Sequence, residues 1–204
     1  MKQRFLLFSI VGTPLLVGII IVGYWFWADV VNKKPPLPTL GQVGEFSLLN
    51  EDSAFVGRNV LLGKITIADF IFTECAGACP MMSAQMSELQ KLLSEEPNVQ
   101  FASFSVDPET DRPAVLTQYA KHYGAVKGKW MFLTGDKLQI YKLVREDFHL
   151  AVNSDTGEGG GILHSQKFVL MDNNATIRGY YDSEDTSAIS SLVVDAERLS
   201  NRVH

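Results

Sequence analysis

The sequence predicts an α/β sandwich with a central mixed sheet flanked by helices, preceded by one N-terminal transmembrane helix. Apolar, β-branched segments alternate with segments of helical periodicity, and the chain then finishes with a strand pair and a last helix. The first residues contain an uncharged apolar run of membrane-spanning length. A length of 204 residues suits one ordinary domain plus an appendage.

The predicted strands and helices are assigned from hydrophobic period and turn residues. The strands are Phe46–Leu49, Lys64–Phe72, Val99–Val106, Trp130–Thr134, Gln166–Met171 and Thr176–Tyr181. One helix begins at Pro80. Three further helices cover Ala114–Tyr123, Lys137–Glu146 and Ser187–Leu199. A polar, glycine-rich loop covers Asn153–Gly161, and it separates the alternating part from the strand pair.

The N-terminal segment predicts a membrane anchor over residues 1–31. Phe5–Trp27 is a run of 23 residues without a charge, and Tyr24, Trp25 and Trp27 lie where an aromatic belt is expected. A cleaved secretory signal is the alternative, but its apolar core is usually shorter and ends at a small-residue cleavage site, which is absent here. The basic residues on the two sides of the run balance each other and do not set its orientation.

The residues after the anchor predict a tether and an acidic domain. Residues 32–44 contain three prolines and no hydrophobic period, so we interpret them as a linker to a domain over residues 45–204. The first 34 residues hold four of the 18 basic and one of the 23 acidic residues, so the rest carries 14 basic and 22 acidic residues. This negative balance argues against nucleic acid as a partner.

Both cysteines lie at one place, directly after a predicted central strand and at the start of a helix. Cys75 and Cys79 are four residues apart, a spacing that lets both sulfurs meet one ligand or form a disulfide. The positive end of a helix favours thiolate, the form that binds soft metals and attacks disulfides. Two buried structural cysteines or a fixed disulfide are the alternatives.

A metal site needs a further ligand, and His164 is the best placed of the histidines. It follows the glycine-rich loop and opens a strand, from which a loop can deliver an imidazole. His122 is expected to end a helix, His149 to lie on the surface and His204 to lie in a frayed terminus. Two thiolates and one imidazole favour copper, particularly Cu(I) with Cu(II) as a second candidate, although zinc accepts the same ligands.

Met81, Met82 and Met86 follow the cysteines in the sequence, and Asp107 follows the neighbouring predicted strand. Met82 and Met86 share the apolar face of the predicted helix and are expected in the core, which leaves Met81 nearest the sulfurs. Asp107 follows the neighbouring strand, where it either caps a helix or orients a metal ligand from outside the ligand set.

In these motifs the chain resembles the Sco/SenC family. The resemblance rests on the Phe-x-x-Thr-x-Cys-x-x-x-Cys-Pro run ending at Pro80, the turn Ser105–Asp111, the Leu-Thr-Gly of Leu133–Gly135, and a late His-Ser before a hairpin. Two positions depart from the family pattern. Ala76 replaces the usual proline, and Ala175 replaces a glycine whose left-handed conformation we expect Asn173 or Asn174 to supply.

The resemblance implies a thioredoxin-like fold and a membrane-anchored protein that delivers copper to cytochrome c oxidase. The ligands it implies are Cys75, Cys79 and His164, with Asp107 as the aspartate near the metal. The implied partner is the copper-bearing oxidase subunit, and the domain would face the periplasm or cell exterior from the cell membrane. Because that compartment is oxidising, the thiols must be reduced before they bind Cu(I), so a thiol reductase is predicted as a second partner. The alternatives are a thiol–disulfide oxidoreductase, with the cysteines as the redox-active pair, and a copper or redox sensor.

Overall fold

The computed structural model describes residues 18–27, 35–150 and 165–201. The chain divides into two compact units, one up to Pro36 and one from Leu37 onward. Residues 18–27 form a helix, α1, within the predicted anchor. None of the helices in these ranges has the length and hydropathy to cross a bilayer.

The second unit is built on a mixed sheet whose described strands number eight. They are β1 (Gly41–Gln42), β2 (Ser47–Asn50), β3 (Phe55–Gly57), β4 (Ile65–Ile71), β5 (Val99–Ser105), β6 (Trp130–Thr134), β7 (Lys167–Met171) and β8 (Thr176–Asp182). Their order in the sheet is β1-β8-β7-β4-β5-β6-β2-β3. The strands β4, β5 and β6 are parallel, and the other pairs are antiparallel.

The helices of this unit connect the strands and cover the sheet. They are α2 (Ala78–Leu92), α3 (Pro113–His122), α4 (Lys137–Lys142) and α5 (Thr186–Ser200), with a 3-10 turn at Arg58–Leu61 and a wider, π-type turn at Leu143–Asp147 after α4. Pro113 occupies the first turn of α3, where a missing N–H costs nothing. The side chain of Asp136 caps α4, and that of Asp185 caps α5.

Two apolar clusters lie on opposite faces of the sheet. Alternate residues of β4 contribute to each cluster, as the two-residue period of a strand requires. One cluster contains the packed rings of Phe70, Phe104 and Phe148, whose centroids lie 5.0–5.5 Å apart. The other cluster joins the sheet to α2 and α5, and it includes both cysteines.

The structure confirms the predicted α/β sandwich and corrects three details of it. Residues 41–42, in the predicted linker, form the edge strand β1, and Val43 is fully buried in the core. The strand β3 was not predicted, because its three residues carry no period of their own. Ala175 itself adopts the left-handed conformation, with φ of 58°, instead of Asn173 or Asn174.

The parallel strands bring two loops to one edge of the sheet. Ile71, the last residue of β4, pairs with Ser105, the last residue of β5. The backbone N–H of Val106 then donates to the carbonyl of Ile71 at 2.9 Å. The loop with the cysteines and the turn with Asp107 therefore leave the sheet side by side.

Candidate metal centre

Cys75 lies in a short loop between β4 and α2. Its backbone N–H donates to the carbonyl of Phe72 at 3.2 Å, so the chain turns directly after the strand. The backbone N–H of Gly77 donates to the Cys75 sulfur at 3.4 Å. Cys79 lies in the first turn of α2, which begins at Ala78. The two cysteines therefore do not share one helix, and the loop brings their side chains together.

The two sulfurs form a buried pair of free thiols. Cys75 is 7% exposed and Cys79 is 5% exposed. Neither forms a disulfide, and the two side chains lie close enough for Cys75 to raise the pKa of the Cys79 thiol. The pair can therefore bind one soft metal ion, or lose two electrons and two protons to an oxidant and form a disulfide.

Burial controls the ionisation of the Cys79 thiol. Burial, the interaction with the Cys75 side chain and the negative charge of Asp69 together raise the pKa of the Cys79 thiol to about 12, and burial is the largest of these causes. The predicted effect of the helix terminus, which favours thiolate, is therefore outweighed at this residue. Cys79 is a thiol at neutral pH until a positive charge replaces its proton.

The exposed residues next to the thiols are uncharged on the side of α2, whereas the exposed Glu74 precedes Cys75. Ala76, Gly77, Pro80 and Met81 are exposed, with Met81 at 40%. Met82 and Met86 are fully buried on the apolar face of α2, as predicted. A partner can therefore approach the sulfurs over a small apolar surface.

The structure does not place the predicted imidazole ligand. His164 and His204 lie outside the described residues. His122 is the last residue of α3 and His149 is exposed, both as predicted. Within the described ranges, no three histidine, cysteine or acidic side chains converge as a metal site would require.

Asp111 is the carboxylate that contacts the cysteine loop. It is fully buried and accepts hydrogen bonds from the backbone N–H and the hydroxyl of Thr73, two residues before Cys75. Asp107 is half-buried, and its backbone N–H donates to Ser105 Oγ at 3.2 Å. Its predicted role beside the metal stays a prediction.

Asp69 is a second buried carboxylate, on β4 beneath the thiols. It is fully buried, and neither carboxylate oxygen has a hydrogen-bond partner of good geometry in the described part of the chain. Burial raises the pKa of Asp69 to about 7, and the hydroxyl of Ser103 offsets that rise only in part. The charge of Asp69 also raises the pKa of Cys79 and of Tyr119, so Asp69 is electrostatically coupled to the site.

Sequence reasoning missed Asp69 and Asp111, although each left a signal. Asp69 interrupts an otherwise apolar central strand, where an unpaired charge is costly. Asp111 follows Asp107 by four residues in a turn, and a carboxylate there can accept bonds from an adjacent loop. Neither signal reveals which loop the carboxylate contacts.

A protein-family comparison matches residues 37–197 to the SCO1/SenC model. The chain belongs to the SCO1/SenC family. This match covers the sheet, the cysteine loop and all but the end of α5. A curated relative, the SCO1 protein homolog of Bacillus subtilis, is 33% identical over 161 residues, which are 78% of this chain and 83% of the relative.

Solved structures agree with the SCO1/SenC assignment and with a thioredoxin-like fold. BsSco, described with a disulfide switch and as a member of the Sco family of cytochrome c oxidase assembly proteins, is 31% identical. It superposes with a TM-score of 0.69, over 81% of this chain and 97% of that one. ScoI of Arabidopsis thaliana with copper bound is 26% identical, with a TM-score of 0.62 over 76% of this chain and 98% of that one.

Proposed function

We propose that the protein binds one copper ion through Cys75, Cys79 and His164 and delivers it to cytochrome c oxidase. The observation that supports this most directly is the pair of free, buried and interacting thiols at the strand–helix junction. Thiolates select soft ions, and a site with two sulfurs and one imidazole has the low coordination number that Cu(I) accepts. The copper-bound ScoI relative supports the same choice of metal.

The surroundings of the thiols suit transfer of the ion between proteins. The sulfurs are buried beneath exposed Ala76, Gly77, Pro80 and Met81, so water is largely excluded while a partner can dock. A copper site on the partner would take the ion by replacing one sulfur at a time. The copper-bearing subunit of the oxidase is the partner we propose, because BsSco belongs to a family of oxidase assembly proteins.

We also propose that residues 1–31 anchor the protein to the cell membrane, with the domain on the periplasmic or outer side. The support is the uncharged run of 23 residues, Phe5–Trp27, with its aromatic end. That compartment is oxidising, so the two thiols need a thiol reductase as a second partner before they can bind Cu(I).

The test is a titration of the full chain in detergent, with reduced thiols, against Cu(I) and a competing chelator. We expect one tightly bound Cu(I) per chain in the wild type and weaker binding in His164→Ala. The matched control is His149→Ala, which removes an exposed imidazole and should leave the affinity unchanged. Absence of competitive binding in the wild type would overturn the proposal.

A thiol–disulfide oxidoreductase is the second candidate function. The same pair of neighbouring free thiols favours it, since two cysteines four residues apart can form a disulfide, and BsSco is described with a disulfide switch. In this function Cys75 attacks the disulfide of a partner, and Cys79 resolves the mixed disulfide, so the partner gains two thiols. Rapid reduction of a model disulfide, together with absence of copper binding, would favour this candidate over copper delivery.

A further inference from the structure

Asp111 accepts hydrogen bonds from three groups on two different segments. Its carboxylate accepts from the Thr73 backbone N–H at 3.1–3.2 Å and from the Thr73 hydroxyl at 2.5 Å. It also accepts from the hydroxyl of Ser105 at 2.6 Å. Asp111 is fully buried, so these bonds are protected from competition with water.

These bonds join the two loops that leave the sheet at the site. Thr73 is the second residue after β4 and lies two residues before Cys75, whereas Ser105 ends β5. The backbone N–H of Asp111 donates to the carbonyl of Asp107 at 2.9 Å, which closes the turn that carries Asp107. A single side chain therefore fixes the start of the cysteine loop to the end of β5 and to this turn.

We propose that Asp111 is a positioning residue that holds Cys75 within reach of Cys79. Cys79 is fixed by its helix, while Cys75 lies in a loop and depends on the loop's own contacts for its position. A loop released at Thr73 would let the Cys75 sulfur sample more positions, and the effective concentration of one thiol at the other would fall. For copper this inference rests on the proposed function, whereas for disulfide formation it does not.

The same two strands offer a matched control at their other end. Gln100 of β5 donates to Thr66 of β4 at 3.0 Å and to the carbonyl of Val60 at 2.8 Å. This link is also buried, and it joins β4 to β5 far along the strands from the cysteines. Gln100→Leu should therefore lower the stability of the fold without releasing the cysteine loop.

The experiment measures two equilibria in the full chain in detergent. The first is disulfide formation in a glutathione buffer, in which the two thiols transfer two electrons to oxidised glutathione and release two reduced glutathione molecules. The second is Cu(I) binding against a chelator. The variants are Asp111→Asn, Thr73→Val, Thr73→Ser and Gln100→Leu, and each is first shown by circular dichroism to be folded.

We expect Asp111→Asn to reduce the disulfide formation constant and the Cu(I) affinity about tenfold or more, as loss of a residue that orients ligands does. Thr73→Val should lower the disulfide formation constant and the Cu(I) affinity by a smaller factor than Asp111→Asn. Thr73→Ser keeps the hydroxyl and should match the wild type. If Asp111→Asn does not fold, Thr73→Val and Thr73→Ser test the inference. A lower disulfide formation constant and Cu(I) affinity in Thr73→Val than in Thr73→Ser would support it.

The inference is overturned if the loop variants match the wild type, or if Gln100→Leu shifts both equilibria equally. A wild type that binds no copper, with the disulfide constant shifted as expected in Asp111→Asn, would overturn the proposed function and support this inference. The two failures are therefore distinguishable.

Discussion

Asp69 on β4 and Ser103 on β5 are direct partners in the parallel ladder at the centre of the sheet. Both are fully buried, and the Ser103 hydroxyl accepts a hydrogen bond from the indole N–H of Trp130 at 2.9 Å. The sheet thus contains a polar row from Trp130 through Ser103 to an acid beneath the thiols. A buried acid of this kind makes the stability of the fold depend on pH.

We expect the free energy of unfolding of Asp69→Asn to rise relative to the wild type as pH increases from 5 to 8. The pKa of Asp69 is raised from 3.8 to about 7 in the folded state, so the folded protein binds the additional proton between these values. Wild-type stability therefore falls as pH rises from 5 to about 7, by an amount on the order of 3 kcal/mol at most. Urea unfolding at several pH values measures the difference.

The control for this pH series is Glu88→Gln, which removes an exposed carboxylate paired with Lys91. Its stability difference from the wild type should stay nearly constant over the same pH range. A difference for Asp69→Asn that is equally flat would contradict the assigned pKa.

Copper affinity should increase with pH between about 6 and 9. The pKa of Cys79 is raised to about 12, so this thiol carries a proton that Cu(I) must displace throughout the range. Each displaced proton makes the affinity rise about tenfold per pH unit. Competition titrations at each pH measure the slope, and a pH-independent affinity would show that Cys79 does not lose a proton on binding.

Removal of either sulfur should abolish tight copper binding. Cys75→Ser and Cys79→Ser each leave one thiolate, which cannot provide the two-sulfur site that favours Cu(I). His164→Ala should weaken binding while the fold, measured by thermal unfolding, stays intact. Full affinity in His164→Ala would remove His164 from the ligand set.

The methionines of α2 should separate stability from copper binding. Met86 is fully buried, so Met86→Ala should lower the free energy of unfolding by about 2–5 kcal/mol. Met86→Leu preserves the volume and should retain both stability and Cu(I) affinity. Met81→Ala, at an exposed position, should leave stability nearly unchanged. A large loss of Cu(I) affinity in folded Met86→Leu would contradict the core assignment of this residue.

Much of the sheet and its helices was predictable because their signals are local. The segment Lys64–Phe72 is apolar and β-branched, and the structure has β4 at Ile65–Ile71. The strand β6 has the predicted bounds, Trp130–Thr134. The strand β1 was not predictable in this way, since Gly41 and Gln42 become a strand only by pairing with β8.

The sequence predicted the sulfur donor atoms of the candidate site. It did not predict the hydrogen bonds that hold the cysteine loop. The four-residue spacing of Cys75 and Cys79 predicted that both sulfurs could meet one ligand, and the structure has two free thiols in one buried cluster. The link from Asp111 to Thr73 joins residues 38 positions apart, and no local period encodes such a contact.

The sequence by itself determined the order of the six longer strands and the four helices of the domain, the family and the location of the thiols, because residue type and spacing express these directly. Only the tertiary structure decided that Cys79 is a thiol of raised pKa, that Asp69 is buried without a good partner, and that Asp111 supports the cysteine loop. Burial and long-range hydrogen bonds depend on which segments the fold brings together, and that choice is made by the packing of the whole sheet.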